Sequence, residues 1–300
     1  MNTGRRTRAL AALPGALLLL ALCAPAVAER CVTDDRDRRV CLERPAERIV
    51  ALTPGATEML FAAGAGERVV GAVSYRDYPE AAQDIPRVGS FKRLDLETLL
   101  AKEPDLVVAS ITSNPAEQVE RLKALGVPLF YSEPRNFADV ASTLERLGVL
   151  TGNAEHARAV AADFGAEVEA IRERYRDAEP VRVFYQVWVD PLMTVNNDHL
   201  ISEAARLCGG ENVFGELDRL VPRIDHESVL DRDPEAIVAG GMGEADLSWL
   251  EDWKRFESMT AVRRDNLFFV PPSSIQRPSP RVVEGSRILC EKLEQARERR

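Results

Sequence analysis

Asp95-Leu-Glu-Thr-Leu-Leu-Ala-Lys-Glu-Pro-Asp-Leu-Val-Val-Ala109 aligns without a gap on Asp225-His-Glu-Ser-Val-Leu-Asp-Arg-Asp-Pro-Glu-Ala-Ile-Val-Ala239, with six of the fifteen positions identical and most of the rest conservative. Each copy reads as a helix capped by an aspartate and running into a short apolar strand. A second correspondence, with one residue of gap, joins Thr57-Glu58, Gly66-Glu67, Val69 and Gly71 to Ser202-Glu203, Gly210-Glu211, Val213 and Gly215. Two matches in the same order argue for two related lobes.

Working outward, strand-like and helix-like segments alternate on both sides. Residues 48–52, 69–73, 105–110 and 128–133 read as strands, and 56–63, 95–102, 115–126 and 137–147 as helices. The pattern restarts with strands at 181–187, 236–239 and 267–270 and helices at 199–207, 249–262 and from 281 toward 297. Such alternation implies crossover connections and parallel sheets. Between the halves, 153–177 holds no proline and repeats apolar residues every three or four positions through Ala157, Val160, Phe164, Val168, Ile171 and Tyr175. It reads as one amphipathic helix of about 37 Å. The expected fold is α/β: two Rossmann-like lobes with central parallel sheets, joined by one long rigid α-helix, with a ligand cleft between them. The expected boundaries are a signal peptide over 1–28, a disulfide hairpin over 29–47, an N-terminal lobe over 48–152, a bridging helix over 153–177 and a C-terminal lobe over 178–300.

The leader rests on Arg5, Arg6 and Arg8, the apolar run Ala9 to Leu22 and the small residues Ala26-Val27-Ala28. Cys23 follows Leu22 rather than a small residue, so a free product is expected rather than a lipoprotein. Removing the three arginines with the leader takes the formal net charge from −9 to about −12, which argues against nucleic acid and anionic lipid as partners. Apolar residues at 45% and charged residues at 29% describe an ordinary globular chain. Export leaves Cys31, Cys41, Cys208 and Cys290 in an oxidising compartment, where two disulfides are the default. Three connectivities are open; Cys31 and Cys41 bracket a charged turn, Asp34 to Arg39, which favours local closure and leaves Cys208 with Cys290. His156, His199 and His226 are scattered and no Cys-x-x-Cys pair occurs, so no zinc site is expected.

Catalytic constellations are scarce. There is no Gly-x-Ser-x-Gly elbow, Gly64-Ala-Gly66 lacks the third glycine of a dinucleotide fingerprint, and Gly240-Gly241-Met242-Gly243 lacks a Lys-Ser or Lys-Thr pair and reads as a turn. An enzyme is disfavoured. Glu97 and Glu227 are more informative, because the duplication puts one acid in the first turn of the equivalent helix of each lobe. Two negative knobs placed symmetrically about a cleft suit a two-fold, basic partner.

Arg48-Ile-Val-Ala-Leu-Thr-Pro-Gly-Ala-Thr-Glu58, Val73-Ser-Tyr-Arg-Asp-Tyr-Pro79, Leu207-Cys-Gly-Gly-Glu-Asn-Val-Phe214 and Arg277-Pro-Ser-Pro-Arg281 resemble the periplasmic cobalamin-binding proteins of ABC importers, within the helical-backbone metal-chelate receptor group. The resemblance runs over nearly the whole mature chain. It implies a soluble periplasmic monomer that takes up a cobalt corrinoid as cargo and needs no resident cofactor. It implies too that Glu97 and Glu227 dock on arginines of a membrane permease. Tyr75 and Arg277 match cleft residues of the family, Phe91 stands where a cobalamin binder has tryptophan, and no tryptophan stands near Val221-Pro222. The two C-lobe cysteines coincide with a disulfide of the family. Trp188, at the end of the first C-lobe strand, is a further candidate wall of the cleft, or else a core aromatic. Within the same group, a ferric siderophore would call on Lys92, Arg93, Arg277 and Arg281, and haem on Tyr75 as axial ligand. From another class, an exported enzyme or sensor on this scaffold is the competing reading.

Overall fold

The computed structural model describes residue 1 and residues 29–240 and 247–300. Apart from Met1, the leader read over residues 1–28 lies outside them, as do Gly241 to Gly243 of the glycine-rich turn.

The chain opens with an antiparallel hairpin, β1 (Arg30–Thr33) and β2 (Arg39–Leu42), in which Cys31 pairs with Cys41 across the ladder and the two form a disulfide. The hairpin is bound into the N-terminal lobe by its acidic tip. Asp35 accepts from the Glu133 amide at 2.6 Å and from Arg146 Nη1 at 2.7 Å, and Asp34, buried, accepts from both Arg36 and Arg38 amides.

The N-terminal lobe runs β3 (Ile49–Ala51), α1 (Pro54–Ala62), β4 (Val69–Ala72), a small hairpin of β5 (Gly89–Ser90) and β6 (Arg93–Leu94), α2 (Leu96–Leu100), β7 (Leu106–Ala109), α3 (Ala116–Ala124), β8 (Leu129–Tyr131) and α4 (Phe137–Thr151). After α5 (Ala154–Arg174) the C-terminal lobe runs β9 (Val181–Gln186), α6 (Leu200–Leu207), β10 (Gly210–Asn212), α7 (His226–Arg232), β11 (Ala236–Ala239), α8 (Ser248–Glu251), α9 (Thr260–Arg263), β12 (Leu267–Phe269), α10 (Pro272–Ile275) and α11 (Val282–Glu298). The two main sheets are separate and parallel throughout, with orders β4-β3-β7-β8 and β10-β9-β11-β12. Strand for strand, the second order repeats the first, as the duplicated segments require. Central strands β3, β7 and β11 are buried along their whole length, which is why they read as unbroken apolar runs rather than alternating ones.

The helix expected over 153–177 is the 21-residue α5, about 31 Å long. Gly152, at φ +77, ends α4 in the left-handed conformation and turns the chain straight into α5. The two helices then pack closely: a Cβ on Gly148 would fall 2.4 Å from the Ala157 Cβ. Phe137 of α4 and Phe164 of α5 meet with ring centroids 6.1 Å apart. Phe164, Val168 and Ile171 belong to one apolar cluster that continues into Val181, Leu289 and Leu293 of the C-terminal lobe. The bridging helix is thus part of a core shared by both lobes, and bending it would expose that core. Cys208 and Cys290 form the second disulfide, tying the end of α6 to α11.

One expected element is divided. The stretch expected as a helix over 249–262 is α8, a 3-10 turn at Asp252–Arg255 and a separate α9. Asp233, at the end of α7, accepts from both the Thr260 amide and its Oγ1 at 2.7 Å and fixes a new helix start there. A tertiary cap of this kind has no signature within the window it interrupts. Among the described residues no helix is long and apolar enough to cross a membrane.

Candidate functional site

In each sheet the first strand lies second in order, so the chain reverses direction across the sheet between β3 and β7, and between β9 and β11. Ligands of open α/β sheets sit at the carboxyl ends of strands at that reversal. In the N-terminal lobe, Asn114 organises the place. Its Nδ2 donates to the carbonyls of Leu52 and Phe91 at 2.8 and 3.2 Å, and its Oδ1 accepts from the Ser110 amide at 2.7 Å. The Glu133 carboxylate gathers the next loop, accepting from Ser110 Oγ and from the amides of Ile111 and Thr112.

Phe91 is held by this arrangement, half-buried against the cluster that contains Leu52 and Val73. Facing it from the other lobe is Trp188, whose Nε1 donates to the Asp190 carbonyl at 3.0 Å and whose ring meets buried Trp249 edge-on at 5.9 Å. Lys92 reaches both rings, with Nζ 5.8 Å from the Phe91 centroid and 5.1 Å from the Trp188 centroid. Lys92 thus links the two rings across the lobes, and Trp188, half-buried, packs on the apolar cluster that contains Trp249 while leaving part of its surface open. Arg93, exposed, lies one residue further along the same hairpin.

Tyr75 is placed on the rim, 64% exposed, with φ at +65. A large side chain in the left-handed region is strained, and the strain is held by its neighbours: Ser74 donates to the Gly89 carbonyl from both amide and hydroxyl, and Arg76 Nε donates to the Ile85 carbonyl at 2.7 Å. The ring is thereby turned outward.

Arg277 lies among carboxylates rather than open to the cleft. Its guanidinium pairs with Glu58 at 2.8 Å and with Asp77 in a two-pronged contact, both from the opposite lobe. Glu58, almost wholly buried, also accepts from Ser279 Oγ at 2.5 Å and from Arg281 Nη1 at 3.2 Å, and the Arg281 guanidinium covers the Tyr78 ring at 4.0 Å. Burial pushes the Glu58 carboxyl above its ordinary value against the pull of Ser279 and the two arginines. Burial also acts on Asp77, but there Arg277 outweighs it and holds the carboxyl low. Two carboxylates offset the Arg277 charge, which leaves it an oriented donor more than a net cation. Glu58, Asp77 and Ser279 carried no role in the sequence; the one available signal was the match of Glu58 to Glu203 in the duplication.

Glu97 and Glu227 occupy the first turns of α2 and α7, both exposed. Their caps are as expected: Asp95 accepts from the Thr98 amide at 3.0 Å and Asp225 from the Ser228 amide at 2.8 Å. Because α2 feeds β7 and α7 feeds β11, each helix begins at the carboxyl edge of its sheet, so each glutamate lies on the cleft-bearing side of its lobe.

A family model described as periplasmic binding protein matches residues 49–273. The chain belongs to the periplasmic binding protein family. This periplasmic binding protein is 33% identical over 256 residues to the vitamin B12-binding protein of Vibrio parahaemolyticus serotype O3:K6, covering 85% of this chain and 92% of that one. It is 34% identical over 248 residues to the vitamin B12-binding protein of Yersinia pestis strain Pestoides F, covering 83% and 86%. Its fold is similar to the crystal structure of the periplasmic vitamin B12 binding protein of Vibrio cholerae, with a TM-score of 0.77, 30% identity and coverage of 85% and 99%.

Proposed function

We propose that this periplasmic binding protein captures cobalamin or a related corrinoid in the cleft and delivers it to the permease of an ABC importer. The observation that carries the reading is the pair of aromatic rings, Phe91 and Trp188, on opposite lobes, with the Lys92 ammonium 5.8 and 5.1 Å from their centroids. The similarity to vitamin B12-binding proteins supports the same cargo. Binding would come from removing a flat macrocycle from water between those rings, with Tyr75 closing the rim and Arg277 fixing orientation through directed hydrogen bonds. Lys92 swings aside to admit the ligand, at the cost of two weak cation–π contacts.

Delivery rests on Glu97 and Glu227, one on each lobe, presented to basic residues of the permease. The protein acts as a soluble periplasmic monomer after removal of the leader and performs no chemistry on its cargo.

The test is retention of ligand. Purified protein is incubated separately with cyanocobalamin, a ferric siderophore and haem, passed through gel filtration, and read by visible absorption, with calorimetry on whatever is retained. A retained corrinoid spectrum is expected. Retention of an iron chelate instead, with Tyr75 as the axial group for haem, would replace the cargo while keeping the carrier; turnover of the retained ligand would replace the carrier with an enzyme.

A further inference from the structure

The internal duplication matches Thr57-Glu58 of α1 with Ser202-Glu203 of α6. In the fold these two glutamates do the same thing in opposite directions. Glu203, from the C-terminal lobe, accepts the amide of Phe137, the first residue of α4 in the N-terminal lobe, at 2.6 Å. Glu58, from the N-terminal lobe, accepts from Ser279 Oγ at 2.5 Å and from Arg281 Nη1 at 3.2 Å, immediately ahead of α11 in the C-terminal lobe. The recipients correspond as well: α4 follows the last strand of the first sheet, and α11 follows the last strand of the second after the single-turn α10. Each lobe therefore sends one carboxylate across the seam to the start of the other lobe's closing helix.

Glu58 is 3% exposed and Glu203 is half-buried, and burial pushes both carboxyls above their ordinary value. A desolvated carboxylate is costly unless its partners stay in place, so each contact penalises any motion that separates the lobes. A single contact would act as a pivot. Two, related by the pseudo-two-fold of the duplication, resist both opening and rotation.

We propose that Glu58 and Glu203 are paired positioning residues that fix the separation of the lobes, and with it the width of the slot between Phe91 and Trp188. This rests on the proposed carrier function only for its effect on ligand; the effect on lobe separation stands without it. The two native disulfides leave the cysteines of an Arg121→Cys, Glu257→Cys background as the reactive ones, since both positions are exposed and lie on different lobes. With nitroxides there, double electron–electron resonance is recorded on the full mature chain, with and without cyanocobalamin.

The parent is expected to give one narrow distance peak, unchanged by ligand. Adding Glu58→Gln and Glu203→Gln together is expected to broaden it, and if about one molecule in ten then holds the slot width, cyanocobalamin affinity falls about tenfold. A natively folded double variant, by circular dichroism, whose distance distribution overlays the parent would overturn the proposal. If the glutamines do not fold, Glu58→Asp and Glu203→Asp keep the charge, shorten the reach by one methylene, and are read in the same way. Failure of the parent to bind cyanocobalamin would remove the cargo reading and leave the distance measurement to decide the clamp.

Discussion

Lys92 Nζ of one lobe lies 5.1 Å from the centroid of the Trp188 ring of the other. The contact is made by a compact charge on a flexible four-carbon stem. In the proposed binding mode the two rings grip the ligand and the lysine side chain gives way to it.

Two substitutions separate those roles. Trp188→Ala removes a stacking face and is expected to weaken cyanocobalamin by about tenfold to a hundredfold, the equivalent of roughly 1.4–2.7 kcal/mol. Lys92→Ala removes only the plug, and affinity for the corrinoid should stay within about threefold of the parent, under 1 kcal/mol. Calorimetric titration checks both; a larger loss from Lys92→Ala than from Trp188→Ala would show that the cation, not the ring, holds the ligand.

Arg277 joins the two lobes through Glu58 and Asp77. Truncation to alanine leaves Glu58 buried with Arg281 and Ser279 but without its 2.8 Å partner, and frees Asp77 of its low-lying charge state. Removing one member of a buried pair costs about 3–5 kcal/mol, and here the remaining partners place it near the lower figure. Urea unfolding should show that loss even without ligand. Arg93→Ala, on an exposed residue of the same cleft region, should change stability by less than about 0.5 kcal/mol.

The fold was legible because it was written twice. The matched segments 95–109 and 225–239 occupy equivalent helix–strand units, and the amphipathic pattern through Phe164 and Ile171 marks the face of α5 that joins the shared core. The start of α9 was not legible, since it is set by Asp233 from 27 residues away in sequence. The aromatic candidates, Phe91 and Trp188, were legible because a ring keeps its character wherever it stands. The polar members of the site were not: Glu58 looks like any helix glutamate until the fold brings Arg277, Ser279 and Arg281 to it from more than 200 residues away. In the sequence Arg277 reads as a cleft arginine without partners in view, and in the fold it is paired with Glu58 and Asp77.

His199 should make stability pH-dependent. Burial, with Arg135 adding to it and Glu133 opposing, lowers its pKa from 6.5 to about 4. The ring also caps α6 by accepting the Ile201 amide on Nδ1, which requires that nitrogen to be unprotonated. The unfolded chain takes up a proton near pH 6.5 and the folded chain only near 4, so the contribution is present above 6.5 and is lost as pH falls toward 4. Part of the ring remains accessible, and solvent reduces the loss between pH 7 and 5 to about 1–2 kcal/mol. His199→Asn keeps a capping side chain and removes the titration. Its urea-unfolding free energy should vary less than the parent's between those two pH values by that amount, and an unchanged pH slope would exclude His199 as the source.

Charge reversal at Glu97 and Glu227 tests the division between gripping and docking. Both residues are exposed, and their caps are made by Asp95 and Asp225, so replacing either glutamate by lysine leaves the cap hydrogen bonds in place. A lysine in a first turn is disfavoured by the helix dipole by about 0.3–1 kcal/mol, too little to unfold a domain. Glu97→Lys and Glu227→Lys together should therefore bind cyanocobalamin as the parent does. Against the cognate permease in membranes, each reversal turns an attraction to a basic residue into a repulsion, and like-charge contacts at an interface cost several kcal/mol. Complex formation and ligand-stimulated ATP hydrolysis should fall steeply in the double variant. Each single variant should fall less, because the other lobe still docks. Loss of ligand binding in the double variant, or normal complex formation with it, would place the docking surface elsewhere.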